Sequence, residues 1–135
     1  MTVKVQTNLA PAAIGPYSQA IRCGAMIFVS GQLPVDPKTG NVPQTIDLQA
    51  DMCLKNLEAV LAAAGGDVTS VVKTTVFLRD MSDFPRMNEI YGAYFGDARP
   101  ARSTVEVARL PKDVLIEIDA IAVLDKVQAQ SAVSR

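Results

Sequence analysis

Residues 71–78 and 115–124 both read as strands that are apolar on two faces, yet only two segments of the chain have helical periodicity. In the later strand Ile116, Ile118, Ala120, Ala122 and Leu124 form one apolar face. The opposite face carries Glu117, Asp119, Ile121 and Val123. The earlier strand sets Val72, Val76 and Leu78 against Val71 and Phe77. Two helices can cover only one side of such a sheet. Something else must bury the other side, and another copy of the chain is the simplest cover. The pattern therefore predicts a homo-oligomer whose sheets face inward.

The remaining elements follow from periodicity and turn chemistry. Thr2–Gln6 alternates as a short strand, and Pro11, Gly15 and Pro16 punctuate the stretch after it. Ala20–Cys23 and Met26–Ser30 read as two strands joined around Gly24, the second apolar on both faces. A loop from Leu33 to Pro43 follows. Ala50, Cys53, Leu54, Leu57, Val60, Leu61 and Ala64 occupy one helical stripe, with Thr45 or Asp47 to cap it and Gly65-Gly66 to stop it. A second helix is expected over Phe84–Phe95, opened by Ser82 or Asp83 with Pro85 in its first turn and closed by Gly96. Its stripe is Phe84, Met87, Asn88, Tyr91, Tyr94 and Phe95, so Asn88 is the one amide on an apolar face. Strands at Ser103–Ala108 and Leu115–Leu124, separated by a turn at Leu110–Asp113, complete the order β-β-β-α-β-α-β-β. That order predicts an α+β fold: a single domain over residues 1–125 with a mixed, mostly antiparallel sheet and two helices packed on one face. Residues 126–135 read as a polar tail.

Composition narrows the chemistry. The chain has 135 residues, with 13 Lys+Arg against 14 Asp+Glu and no histidine. A net charge of −1 without a basic run argues against a nucleic-acid footprint. The missing histidine excludes Ser-His-Asp and Cys-His catalysis and any histidine-ligated metal. Cys23 and Cys53 have neither CxxC nor metal-ligand spacing, which predicts small buried hydrophobes in a reducing compartment. No apolar run reaches the ~20 residues that span a bilayer, and the first fifteen residues lack a signal-peptide layout. A cytoplasmic protein is expected.

Acid–base work then falls to carboxylates, tyrosine, lysine or water. Glu117, flanked by Leu115, Ile116 and Ile118, needs a partner if it is buried, and an ion pair with an arginine is the plainest one. Asp119 shares its face. Arg99 and Arg102 flank Pro100-Ala101 before a strand, a setting suited to gripping a carboxylate or phosphate. Tyr17, Ser30-Gly31 and Asn88 can line a pocket or complete turns and core. Gly65-Gly66 closes a helix rather than opening one, the wrong end for an anion.

Taken whole, the chain resembles the RidA family (YjgF/YER057c/UK114) over Val3–Leu124. The matching segments are APAAIGPYSQAI at 10–21, VSGQLPVDPKTG at 29–40, VKTTVFLRDMSDFPRMN at 72–88 and PARSTVEVARLPKDVLIEIDAIAV at 100–123. The resemblance implies a chorismate mutase-like homotrimer with clefts between subunits. It also implies hydrolysis of 2-imino acids or their enamine tautomers to 2-keto acids and ammonia, with neither metal nor organic cofactor. Such intermediates are released by pyridoxal-phosphate-dependent dehydratases. Carried over by position, Arg102 would grip the substrate carboxylate and Glu117 would activate water. Tyr17, Ser30, Gly31 and Asn88 would complete the pocket, and Thr104 stands where many bacterial members carry cysteine. A keto-acid-binding regulatory protein and the RNA cleavage reported for some relatives are the alternative functions.

Overall fold

The computed structural model of the chain describes residues 1–125. The 126–135 tail expected above lies outside the described residues. Six strands, β1 (Thr2–Val5), β2 (Ala20–Cys23), β3 (Met26–Gln32), β4 (Val71–Leu78), β5 (Ala101–Glu106) and β6 (Ile116–Val123), form one sheet in the order β1-β2-β3-β6-β4-β5. Every pairing is antiparallel except β4 with β5. The helices α1 (Ile46–Ala63) and α2 (Phe84–Phe95) pack together on one side. Among the described residues no helix is long and apolar enough to cross a membrane.

The core lies between the α1 stripe and the inward rows of β3, β4 and β6. Leu54, Leu57, Val60 and Leu61 of α1 are buried against Ile27, Val76, Ile118 and Ala122. Fully burying a side chain of this kind stabilises by about 1.5–3 kcal/mol. Leu57→Ala is therefore expected to cost about 2–5 kcal/mol, read as a lower denaturant midpoint with an unchanged slope at fixed protein concentration.

α1 ends as the glycine pair suggested. The Gly66 N–H donates to the Leu61 carbonyl at 2.9 Å and the Gly65 N–H to that of Ala62 at 3.1 Å, with Gly65 at φ +94°. Only glycine adopts that backbone without strain. The N-terminal expectations fare less well. Thr45 is the N-cap residue but its side chain caps nothing, and Asp47 lies in the first turn. Neither Ser82 nor Asp83 caps α2 through its side chain. Asp80 caps the short 3₁₀ turn before it, accepting from the Ser82 N–H at 2.9 Å.

Several face assignments change. β4 carries a bulge at Val71–Lys73, so Val71 points into the core and Val72 is exposed, where strict alternation put Val72 with Val76 and Leu78. β3 runs two residues past Ser30 through a second bulge between Val29 and Gln32. The last two strands begin and end one or two residues from the expected bounds. Asn88 is exposed beside buried Met87, because the buried stripe of α2 narrows to Met87, Tyr91 and Phe95. Cys23 is exposed at the β2–β3 turn, since only Cys53 faces the core.

The side of the sheet away from the helices keeps its apolar character. Met26, Phe28, Val105 and Val123 are each about 40% exposed there, at 40, 42, 39 and 40%. The strand registers place them on one surface with Phe77 and Ile121.

Candidate functional site

At one end of this open face, strand alternation directs Glu117 of β6 outward, opposite Phe77 of β4. On its other side runs the β3 bulge, which brings Gly31 under the carboxyl group. A Cβ added at Gly31 would overlap Glu117 Oε2 and stand 2.7 Å from Cδ. Only a glycine lets main chain and carboxylate meet this closely.

The bulge is fastened on both sides. Ser30 Oγ donates to the Ser18 carbonyl at 2.6 Å, and the Ser30 N–H to the Gln19 carbonyl at 3.0 Å. Gln32 Nε2 donates to the Ser30 carbonyl at 3.0 Å. Buried Gln19 clamps the preceding loop: its Nε2 donates to the Thr7 and Pro11 carbonyls at 3.1 and 2.8 Å. Its Oε1 accepts from the Thr7 N–H at 2.7 Å. Tyr17 projects from the end of that loop, half-exposed.

These pieces enclose a cavity of about 860 Å³. Tyr17, Ser30, Gly31 and Glu117 line it, with Leu33, Val35 and Asp36 on one wall and Pro111 and Lys112 on another. Burial, and secondly the charge of Asp119, push the Glu117 carboxyl above its ordinary value. The arginine partner anticipated for Glu117 is not present: among the described residues no cation pairs with it. Asp119 has a structural occupation, accepting from the Thr75 N–H at 3.2 Å. Across the 12–17 segment lies a smaller groove of about 530 Å³ that also touches Tyr17, but no carboxylate lines it.

Arg102 stands elsewhere. It belongs to edge strand β5 rather than a loop, and pairs with buried Thr74 on the helix side of the sheet. Its guanidinium carbon lies 4.8 Å from the Tyr91 ring centre and 5.4 Å from that of Phe84. Stacking of this kind fixes a guanidinium while leaving its N–H edge free for an anion. Tyr91 is in turn fixed by a 2.6 Å hydrogen bond with the Thr74 hydroxyl. Thr104 lies two residues along the same face, and its buried hydroxyl has no partner among the described residues. Arg99 is exposed in the left-handed region at φ +38°.

One chain thus brings together Tyr17, Ser30, Gly31 and Glu117, and separately Arg102 with Thr104. β4 lies between the two groups, on opposite faces of the sheet. Sequence reasoning passed over Gln19, Gln49 and Asn56, all buried amides, and the wall residues Leu33, Val35 and Lys112. The available signal was an amide on an apolar row: Gln49, Cys53 and Asn56 follow i, i+4, i+7 spacing on α1.

The family model described as Endoribonuclease L-PSP matches residues 7–124. The 2-iminobutanoate/2-iminopropanoate deaminase of Escherichia coli K12 is 54% identical over 126 residues, 91% of this chain and 98% of its own length. A RutC family protein of Pyrococcus horikoshii is 56% identical over 117 residues, 86% of this chain and 93% of its own. Among solved structures, Escherichia coli TdcF with bound serine superposes with a TM-score of 0.87 at 48% identity, covering 90% of this chain and 98% of that one. The chain belongs to the Endoribonuclease L-PSP family, the RidA/YjgF family that its sequence resembles.

Proposed function

We propose that the protein hydrolyses small 2-imino acids, and their enamine tautomers, to 2-keto acids and ammonia, with Glu117 as general base. The observation that carries this reading is the Glu117 carboxyl itself: half-buried, pressed on Gly31, facing a cavity and without a cationic partner among the described residues of its own chain. A structural carboxylate in such a place would have one. The deaminases at 53 and 54% identity and the serine-bound TdcF support a small amino-acid-derived ligand.

The chemistry asks little of the protein. An iminium carbon is already electrophilic, so a positioned water suffices as nucleophile. Glu117 takes a proton from that water as its oxygen bonds to carbon and the C=N π electrons move to nitrogen. Glu117 passes that proton to the carbinolamine nitrogen, the C–N bond breaks to release ammonia, and the hydroxyl proton goes back to Glu117 as the C=O of the keto acid forms. Holding the substrate through its carboxylate makes the attack nearly unimolecular, and Arg102 is the residue suited to that grip. Tyr17 and Ser30 supply hydroxyls at the wall, Thr104 a further hydroxyl beside Arg102, and Asn88 an exposed amide on α2.

Since Arg102 and Glu117 stand on opposite faces within one chain, the proposal places the complete site between copies. Arg102, on an edge strand, is presented to a neighbour's Glu117. The uncovered apolar sheet surface supports such an assembly, a homotrimer with its sheets toward the centre. The family description also names RNA cleavage, but a phosphodiester backbone calls for a cationic track, and this chain has a net charge of −1.

The test is a coupled assay in which a pyridoxal-phosphate-dependent threonine or serine dehydratase generates imine and semicarbazide traps it. Faster loss of trappable imine with the protein present supports hydrolysis, whereas unchanged trapping with measurable keto-acid binding supports a regulatory binder instead. Arg102→Lys is expected to raise KM about 10-fold or more, because a bidentate charged contact worth ~1.5–3 kcal/mol becomes a single point charge. An unchanged KM would remove Arg102 from the site.

A further inference from the structure

The buried face of α1 contains three polar side chains, Gln49, Cys53 and Asn56, at 4, 0 and 1% exposure. None bonds to another side chain among the described contacts; each reaches main chain on the segments that bear the cavity. The Leu115 N–H donates to Gln49 Oε1 at 2.7 Å, while Gln49 Nε2 donates to the Pro43 carbonyl at 2.8 Å. Asn56 Nδ2 donates to the carbonyls of Leu33 and Val35, both at 2.9 Å. Between them the Cys53 thiol lies 3.3 Å from the Gln32 carbonyl oxygen and 3.7 Å from that of Ile116.

The bonded peptides are not scattered. Gln32 follows Gly31 and Ile116 precedes Glu117, so one thiol reaches the backbone on both sides of the approach of Gly31 to Glu117. Leu33 and Val35 form its wall. We infer that Gln49, Cys53 and Asn56 are positioning residues, a polar row on α1 that holds the β3 bulge against the start of β6 and so sets where the Glu117 carboxyl stands over Gly31. The inference rests on the reading of Glu117 as the base. A thiol proton shared between two carbonyls is weak in energy but specific in direction, and no aliphatic side chain of that size offers it. Burial, and then the nearby Glu117 charge, push the Cys53 thiol well above its ordinary range, so it remains a protonated donor.

Within one chain the groups facing Glu117 are Asp119 on its own strand, Tyr17, Asp36 and Lys112 around the cavity, and the Cys53 thiol from the helix side, and the proposed assembly adds Arg102 of a neighbouring copy. β3 lends uncharged Ser30, Gly31 and Gln32 to the cavity, and β4 sets Phe77 opposite Glu117. Removing Cys53 changes no charge among them, so any change in Glu117 titration reports its position and solvation.

The experiment compares Cys53→Ala, which deletes the donor, with Cys53→Ser, which keeps one. In the alanine variant kcat is expected to fall about 10-fold with KM within about twofold, less than the ~10²-fold that a 1 Å misplacement can bring. The acidic limb of kcat is expected to move to lower pH, because a loosened cradle admits water to a carboxyl whose raised value comes first from burial. Serine should restore both. An infrared titration of the Glu117 carboxyl band, with Glu117→Gln as the blank, reads the same shift without turnover. If Cys53→Ala does not fold, Gln49→Met frees the Leu115 peptide and supplies both readouts. A folded variant with the parent's kcat and the parent's Glu117 titration overturns the inference. Full turnover in Glu117→Gln overturns the reading of the base instead, and the infrared titration still decides the positioning.

Discussion

Replacing Glu117 with glutamine is expected to lower imine hydrolysis by about 10²–10⁴-fold, the range that a positioned acid–base group supplies, while making the folded protein more resistant to heat at neutral pH. The two effects have one cause. Burial and Asp119 oppose ionisation of this carboxyl, raising its value in the folded state. The native state therefore holds that proton more tightly than the unfolded chain does. Stability from this group is fully present below the unfolded carboxylate's pKa and is lost as pH rises through the raised folded value. Glutamine carries no charge to oppose, so the gap in melting temperature between variant and parent should open as pH rises and close in acid. Activity runs the other way, since the base must be ionised, and its acidic limb should lie above the titration range of an ordinary glutamate. Scanning calorimetry across pH, beside the coupled assay, checks both. A variant less stable than the parent at neutral pH would mean that a cation, such as Arg102 of a neighbouring copy, outweighs burial and Asp119 at Glu117.

Gly31→Ala should be nearly as damaging, for a reason unrelated to backbone conformation. Gly31 is not among the positive-φ glycines, so a Cβ would meet no torsional resistance. It would meet the Glu117 carboxyl, overlapping Oε2 and standing 2.7 Å from Cδ. The carboxyl must swing aside, and a displacement on the ångström scale costs about 10²-fold in rate, with about 1–3 kcal/mol of stability lost to overpacking. The decisive measurement is a double-mutant cycle. Adding Glu117→Ala to Gly31→Ala should recover most of the lost stability and none of the activity, a strongly non-additive result. Additive stability losses would show that alanine at 31 disturbs something other than Glu117.

What the sequence disclosed divides along physical lines. α2 and β4 have the bounds that periodicity and turn residues suggested, and α1 starts within a few residues of its cap candidates, because both signals are local. The apolar neighbours of Glu117 predict a carboxylate kept from open water, and it is half-buried. The bulges at Val71–Lys73 and Val29–Gln32 were invisible, since a bulge is defined by two strands and one sequence shows only one of them. For the same reason Gly31 looked like permissive backbone rather than room for a particular side chain. Helical spacing puts Asn88 on the apolar row of α2 and leaves core or pocket open; it is exposed, because spacing says which residues share a face, not how wide the covered part of that face is. Arg102 was placed in a loop with no hint of the Tyr91 and Phe84 rings, which approach it from a helix. Cys53 was counted as a small apolar filler, because composition cannot show that two carbonyls converge on its sulfur.

The strand order has a consequence for how the chain is made. β3 and β4 never touch as neighbours; each pairs with β6, the last of the six to leave the ribosome. Until residues 116–123 emerge, the β1–β3 meander and the β4–α2–β5 crossover share no strand pairing, and the central place in the sheet stands empty. Insertion of one final strand completes the sheet and brings Glu117 to Gly31 in the same step, so the fold and the proposed site are finished together.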